Sequence, residues 1–230
     1  MILTIEYFNL HRHSPPEDPE ESSIINLFPE DAPPEKDLYS VGLHPWHIVE
    51  DRMEKDLALV LEKGSNAVAI GECGLDRVCK VPFEVQMRGF RAQVDITEKL
   101  GKPLIIHCVR AYPDIISEKK KKWDIAPPWI IHGFRGNSET AVQLLKHGFY
   151  LSFGEAILKD GKLCDVLKAI PVDRLFLETD DKGRDVREIY EKAAEVLGFR
   201  VGKLAEFLLA NAGQVFKGIA NAGLETGAPL

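Results

Sequence analysis

Short apolar runs recur along the chain, and between most of them apolar residues return every three or four positions. The runs that read as strands are Leu3–Phe8, Ser23–Leu27, Leu38–Gly42, Ala67–Gly71, Leu104–His107, Trp129–His132, Tyr150–Phe153 and Leu175–Glu178. Helical periodicity falls on Met53–Glu62, Phe83–Leu100, Ile115–Lys122, Ser138–Lys146, Lys162–Ala169, Val186–Leu197 and Gly202–Ile219. Strands alternating with helices imply a parallel sheet, and eight strands close naturally into a (β/α)8 TIM-type barrel. The link between the first two strands is too short for a crossover helix, so that corner is expected to be irregular. The Pro- and acid-rich stretches Ser14–Glu21 and Pro29–Lys36 read as loops, because proline lacks an amide donor and restricts its neighbour. Ser138 is the expected N-cap of its helix and Gly148 fits a C-cap. The lysines Lys119–Lys122 read as a solvated helix end, with a phosphate-binding patch as the alternative.

Composition narrows the class. The chain has 230 residues, 45% hydrophobic and 28% charged, which suits one soluble barrel domain spanning residues 1–230. Cys73, Cys79, Cys108 and Cys164 form no CxxC pair, which argues against a structural zinc site or a disulfide framework. The N-terminal MILTIEYFNL has no basic region or cleavage site, and no apolar run is long enough to cross a bilayer. A cytoplasmic protein without membrane or protein partners is therefore expected. The formal net charge of −7 speaks against a broad basic face for duplex DNA. It leaves a phosphate substrate open, since bound divalent cations invert the local potential.

The ends of the predicted strands carry the candidate chemistry. His11 and His13 flank Arg12 just past the first strand, and side-chain alternation points both imidazoles the same way. Taken alone, such a pair is more often incidental. Glu72 ends a buried apolar run, where a carboxylate is costly without charge or hydrogen-bond compensation; a solvated loop acid is the alternative. His107 and His132 end two successive runs of the same design, PLIIH and PWIIH, which packing alone explains poorly. Asp180 closes the stretch LFLETD, an apolar strand that ends in acids, with a solvated acidic loop as the alternative. Barrel active sites lie at the C-terminal ends of the strands, where all six residues fall. Imidazole and carboxylate ligands suit zinc, manganese, iron or nickel, with magnesium possible given more oxygen ligands.

These residues are embedded in the stretches NLHRH, VGLHPWH, AIGECGLD, KPLIIHCVRAYPDII, IIHGFRGNSETAVQLLKHGFYLSFG and LFLETDD. Together they resemble the TatD-type metal-dependent hydrolases of the amidohydrolase-like barrels, from about residue 9 to about residue 181. LAEFLLANAGQVFKG resembles the family's last helix. The resemblance implies a barrel with two divalent metals: His11, His13 and Asp180 on one, His107 and His132 on the other, and Glu72 bridging. It also implies deoxyribonuclease activity, with some members acting as 3′ exonucleases on single-stranded DNA, so DNA or a nucleotide is the expected partner. Asp180 is the expected general base and Glu72 its catalytic companion. Arg110 matches a family arginine that could clasp a phosphate oxygen, with a surface ion pair as the alternative. His44 is read as a substrate contact, Asp76 as a group orienting a ligand, and Trp46 and Phe134 as possible stacking faces. His147 is read as a helix-capping or exposed residue. The family usually has Asp at the positions of Asn9 and Pro15. The chain between His13 and Gly42, and again after Asp180, is shorter than the family's, so the cleft walls are trimmed. An amide, ester or lactone hydrolase on the same barrel is the alternative activity, and a non-catalytic binding protein the third.

Overall fold

A computed structural model describes residues 6–121, 127–181, 183–217 and 219. Residues 3–5 of the expected first strand, Lys122 of the expected third helix and lysine run, and Gly218 of the last helix lie outside them.

Eight strands form one parallel sheet in sequence order: β1 Tyr7–Arg12, β2 Glu21–Leu27, β3 Leu38–Val41, β4 Ala69–Asp76, β5 Leu104–Val109, β6 Trp129–Ile131, β7 Tyr150–Phe153 and β8 Leu175–Leu177. A bridge between Arg12 and Asp180, with the Asp180 N–H donating to the His11 carbonyl at 2.9 Å, joins the last strand to the first. The sheet is thus a nearly closed barrel. The helices are α1 Met53–Gly64, α2 Phe83–Leu100, α3 Tyr112–Lys120, α4 Ser138–Lys146, α5 Gly161–Lys168, α6 Val186–Leu197 and α7 Val201–Val215. Neither the β1–β2 nor the β2–β3 link carries a helix, so the irregular corner is wider than the sequence suggested. No helix of the described residues is long and apolar enough to cross a membrane.

The side-chain period of two divides the core. Leu104, Ile106, Trp129, Ile131, Leu175 and Leu177 pack in the layer between strands and helices. Their alternates Ile105, Ile130 and Phe176 join Phe8, Leu10 and Ile24 in a second cluster. Only a barrel interior brings alternate residues of β1, β2, β5, β6 and β8 together. Ala212, Val215 and Phe216, from α7 and its end, complete this interior cluster. The Phe216 ring lies 5.9 Å from both Phe8 and Phe176. Each such buried ring contributes about 2–3 kcal/mol.

Two local expectations change. The cap of α4 is Asn137, whose side chain accepts from the Thr140 N–H at 2.9 Å, so Ser138 is already helical. Lys119 is not solvated: it is buried, with Nζ 4.8 Å from the Trp129 ring centroid, and burial pushes its pKa down to about 8. His147 is the C-cap residue of α4, followed by Gly148 at φ 75°.

Candidate metal centre

The same alternation that fills the barrel interior aims the chemistry. Two residues beyond Ile105, Ile130 and Phe176 stand His107, His132 and Glu178, directly above the apolar layer. Glu72 needs one more device. Ala69 faces the interior and Ile70 the helices, so strict alternation would turn Glu72 outward. Between Ile70 and Cys73, three steps along β4 match two along β5, from Leu104 to Ile106. The extra residue is a β-bulge that returns Glu72 to the interior. Gly71 and Gly74 make the close approach possible: with φ of 130° and 152°, an added Cβ would lie 2.3 Å from the Ile105 carbonyl and 1.9 Å from that of His107. A like shift in β1, between Asn9 and Arg12, lets His11 and His13 both reach the centre while Arg12 pairs with Glu21.

Glu72 is the hub. Its Oε1 lies 2.7 Å from His132 Nε2, 2.9 Å from His107 Nδ1 and 3.1 Å from His44 Nε2. Its Oε2 lies 3.4 Å from His11 Nε2 and 3.9 Å from His13 Nε2. Asp180 Oδ1 adds a second carboxylate beside the latter pair, 3.7 Å from His11 and 3.5 Å from His13. Asp180 holds a left-handed backbone at φ 58°. All six residues that the sequence singled out as ligands therefore meet in one place.

Charge follows this geometry. Burial works to raise the Glu72 pKa, but His132, His107 and His11 outweigh it and hold the carboxyl well below its usual range. Burial works against a charged His132, yet Glu72 and Glu178 raise its pKa well above normal. Asp180 is likewise held below the usual carboxylate range, burial being overcome by His13 and then by His132 and His11.

Other site residues resolve differently. His44 Nδ1 accepts from the Trp46 N–H at 3.1 Å, which leaves the proton of the neutral ring on Nε2, and burial lowers its pKa. His44 is thus a neutral donor aimed at Glu72 and the cleft. Asp76 lies 3.3 Å from His107 Nε2 and accepts from Trp46 Nε1 at 2.6 Å, so it touches a candidate ligand as expected. Trp46 is 56% exposed at the cleft, whereas Phe134 is 1% exposed and packs on Phe153, which removes it as a stacking face. Arg110 lines the cleft and makes no ion pair among the described residues, so the ion-pair alternative falls away.

Four residues that the sequence did not single out also contribute. Glu178 is fully buried and sits 3.1 Å from His132 Nδ1. Asn26 accepts from the Glu72 N–H at 2.7 Å. Gln93 and Gln86 on α2 clamp Leu43 and Asp76, the loop ends that carry His44 and the orienting carboxylate. Glu178 had a signal, as the first acid after a buried strand; the amides had none, because their partners are distant in sequence.

The donor set fits divalent metal ions. His11 is fully buried, and neither ring nitrogen has a hydrogen-bond partner. Leaving it so is costly unless an ion takes a lone pair. His11, His13 and Glu72 offer ligand atoms within 4.8 Å of one another, as do His11, His132 and Asp180, and His44, Glu72 and His107. His132, with one nitrogen on Glu178 and the other on the hub, has the carboxylate–histidine arrangement that orients a metal ligand. Above the cluster opens a cavity of about 820 Å3, whose walls include Phe28, Trp46, His47, Tyr112, Arg135 and Asp181.

The TatD related DNase family matches residues 30–217 of this chain. An uncharacterized metal-dependent hydrolase, YabD of Bacillus subtilis, is 33% identical over 196 residues, 77% of this chain and 76% of that protein. The 3'-5' ssDNA/RNA exonuclease TatD of Citrobacter koseri is 31% identical over 147 residues, 61% of this chain and 56% of the exonuclease. Among solved structures, YjjV, a TatD homolog from Escherichia coli K12, has a TM-score of 0.77 at 21% identity, over 93% of this chain and 99% of that one.

Proposed function

The chain belongs to the TatD-related DNase family of metal-dependent hydrolases, and from that premise we propose that it cleaves phosphodiesters, in single-stranded DNA ends or smaller nucleotides, at a two-metal centre. The observation that carries this reading is the splitting of Glu72: one carboxylate oxygen faces His11 and His13, the other His107 and His132. A shared carboxylate between two imidazole sets suits two adjacent ions. His11, His13 and Asp180 would hold one, His107 and His132 the other. When bound, such a pair supplies Lewis acidity, lowering the pKa of water and neutralising charge on the phosphoryl oxygens.

The chain's own groups divide the remaining work. Asp180 is ionised and its side chain is 37% exposed, so it can take a proton from the attacking water at the cleft floor. His44, locked as an Nε2–H donor, supplies a hydrogen bond to a phosphoryl oxygen as the P–O bond breaks, and the departing alkoxide takes its proton from solvent in the open cleft. Arg110, at the cleft wall, is left to hold a phosphate group of the substrate away from the reacting bond. The relative named as a 3'-5' ssDNA/RNA exonuclease supports the substrate class.

The test is metal analysis together with a hydrolase screen. The metal-loaded protein is expected to bind two equivalents of zinc, manganese, iron, nickel or magnesium and to release mononucleotides from single-stranded ends. Loss of both on Glu72→Ala is the matching expectation. Turnover of amide, ester or lactone substrates, with none on phosphodiesters, would replace this reading with an acyl hydrolase.

A further inference from the structure

The loops after β5 and β6 each present an arginine that no ligand set uses. Arg110 holds a left-handed backbone at φ 53°, and Arg135 follows a turn with Gly133 at φ 52°. Both side chains are exposed and line the cavity above Glu72. In a chain of net charge −7, carboxylate partners are plentiful. Arg77 sits on Asp114 at 2.8 Å, Arg91 on Glu118 at 2.8 Å and Arg184 on Glu155 at 3.0 Å. Arg110 and Arg135 have no such pair among the described residues. Two guanidiniums without an ion-pair partner among the described residues line the same cavity as Asp180 and leave a directional receptor for an anion.

The two loops are also built as one stiff unit. Phe134 is buried, and its N–H donates to the Ser152 carbonyl at 2.8 Å. Gly136 closes the turn so tightly on the Phe134 ring that an added Cβ would lie 2.6 Å from it. Tyr112, two residues beyond Arg110, packs its ring 5.6 Å from that of Phe134. Side chains carried on such a platform lose less entropy on binding than side chains on free loops.

We infer that Arg135, with Arg110, forms an anion subsite beside the metal centre for a second phosphate group of the substrate, distinct from the phosphate that is cleaved. This rests on the phosphodiester reading and narrows it: the preferred substrates carry at least two phosphates, as an oligonucleotide or a phosphorylated nucleotide does. The second phosphate is either internal to the strand or a terminal monoester, since a guanidinium clasps both.

The decisive measurement avoids catalysis. In chelator and low salt, binding of a 3′-labelled, 5′-phosphorylated tetrathymidylate is followed by fluorescence anisotropy for wild type, Arg135→Ala, Arg135→Lys and Arg110→Ala. Each alanine variant is expected to weaken binding about tenfold and to flatten the slope of log K against log salt by about 0.7, the release expected for one phosphate on a single strand. Arg135→Lys should restore most of the slope but only part of the affinity, and unchanged melting temperatures show that the turn is intact. Omitting the 5′ phosphate separates the sources: an Arg135 effect that disappears assigns the terminal monoester, one that persists assigns an internal phosphate. With metal, the ratio of kcat/KM for the oligonucleotide to that for bis(p-nitrophenyl) phosphate should fall about tenfold in Arg135→Ala. Absence of binding by wild type, or equal affinity and salt slope in wild type and Arg135→Ala, overturns the subsite. Hydrolysis of neither substrate by metal-loaded wild type would instead sink the phosphodiester reading, while the binding comparison still decides the subsite.

Discussion

The two imidazole sets around Glu72 are built differently. On one side, His107 and His132 are each gripped from behind by a carboxylate, Asp76 at 3.3 Å and Glu178 at 3.1 Å. On the other, His11 has no hydrogen-bond partner at either ring nitrogen, and His13 and Asp180 are about a third exposed. The first set is oriented by the protein alone. In the second, the buried His11 finds no partner within the protein. Two sites that share a hub can thus differ in how much of their order the fold supplies, and the less ordered one should exchange its ion more readily.

Removing the hub is the harshest test of this contrast. Glu72→Gln should strip both ions, read as metal content falling from two equivalents toward none and hydrolysis falling to background. Retention of one full equivalent would mean that one set holds its ion without the shared carboxylate. Asp180→Asn should lower kcat by about 10²–10⁴-fold while an ion stays on the His107 side. Full activity with metal bound would remove Asp180 from the role of base. Glu178→Gln should weaken metal affinity by about 10–100-fold. In a chelator titration, wild type should lose the His11-side ion first, whereas this variant should lose the two together. A wild type that releases both at once denies the asymmetry.

Asn9 probes the less ordered side from beneath. Its Nδ2 donates to Glu21 at 2.9 Å and to Thr179 at 2.8 Å, and its Oδ1 accepts from the Thr179 N–H, one residue before Asp180. An aspartate there, the family's usual residue, would face Glu21 as a like charge. Asn9→Asp is expected to cost about 1–3 kcal/mol in denaturant unfolding at neutral pH, and to lose most of that cost when combined with Glu21→Gln.

The smallest effect lies away from both sets. Lys119 has its folded pKa pushed down to about 8 by burial, below its ordinary 10.5. Below about pH 8 both folded and unfolded chains carry the proton, so the cost of burying the charge is present in full. Between about 8 and 10.5 the unfolded chain binds more protons, and stability rises with pH. Lys119→Met should abolish that rise and add about 2 kcal/mol at pH 7, without touching metal content.

Much of this was readable from the chain, for identifiable reasons. Apolar runs capped by a histidine or an acid announce both a strand and its functional end, and β7, α2, α4 and α6 fall on the expected residues. The first strand was misplaced because its apolar run stops at Phe8, whereas Asn9, His11 and Arg12 are buried polar residues satisfied by partners elsewhere. The fourth strand continues to Asp76 through two glycines that look like a stop. Lys119 misled because a lysine run gives no hint that its first member lies over a tryptophan. The orienting amides Asn26, Gln86 and Gln93 break no periodicity and have no local motif, so only the folded chain reveals them.

The bridge between Arg12 and Asp180 also sets a timetable. The barrel's seam lies between its first and last strands, and the candidate site straddles that seam, with His11 and His13 on one lip and Asp180 on the other. During synthesis His11 and His13 emerge well before Asp180, so the pocket cannot be complete until the chain to about residue 180 is free. Until then the two imidazoles form only a loose pair, and on the two-metal reading selective uptake of an ion would begin only with closure. An ion held across the seam would act as a clasp on the finished barrel, tying the end of the first strand to the segment just after the last.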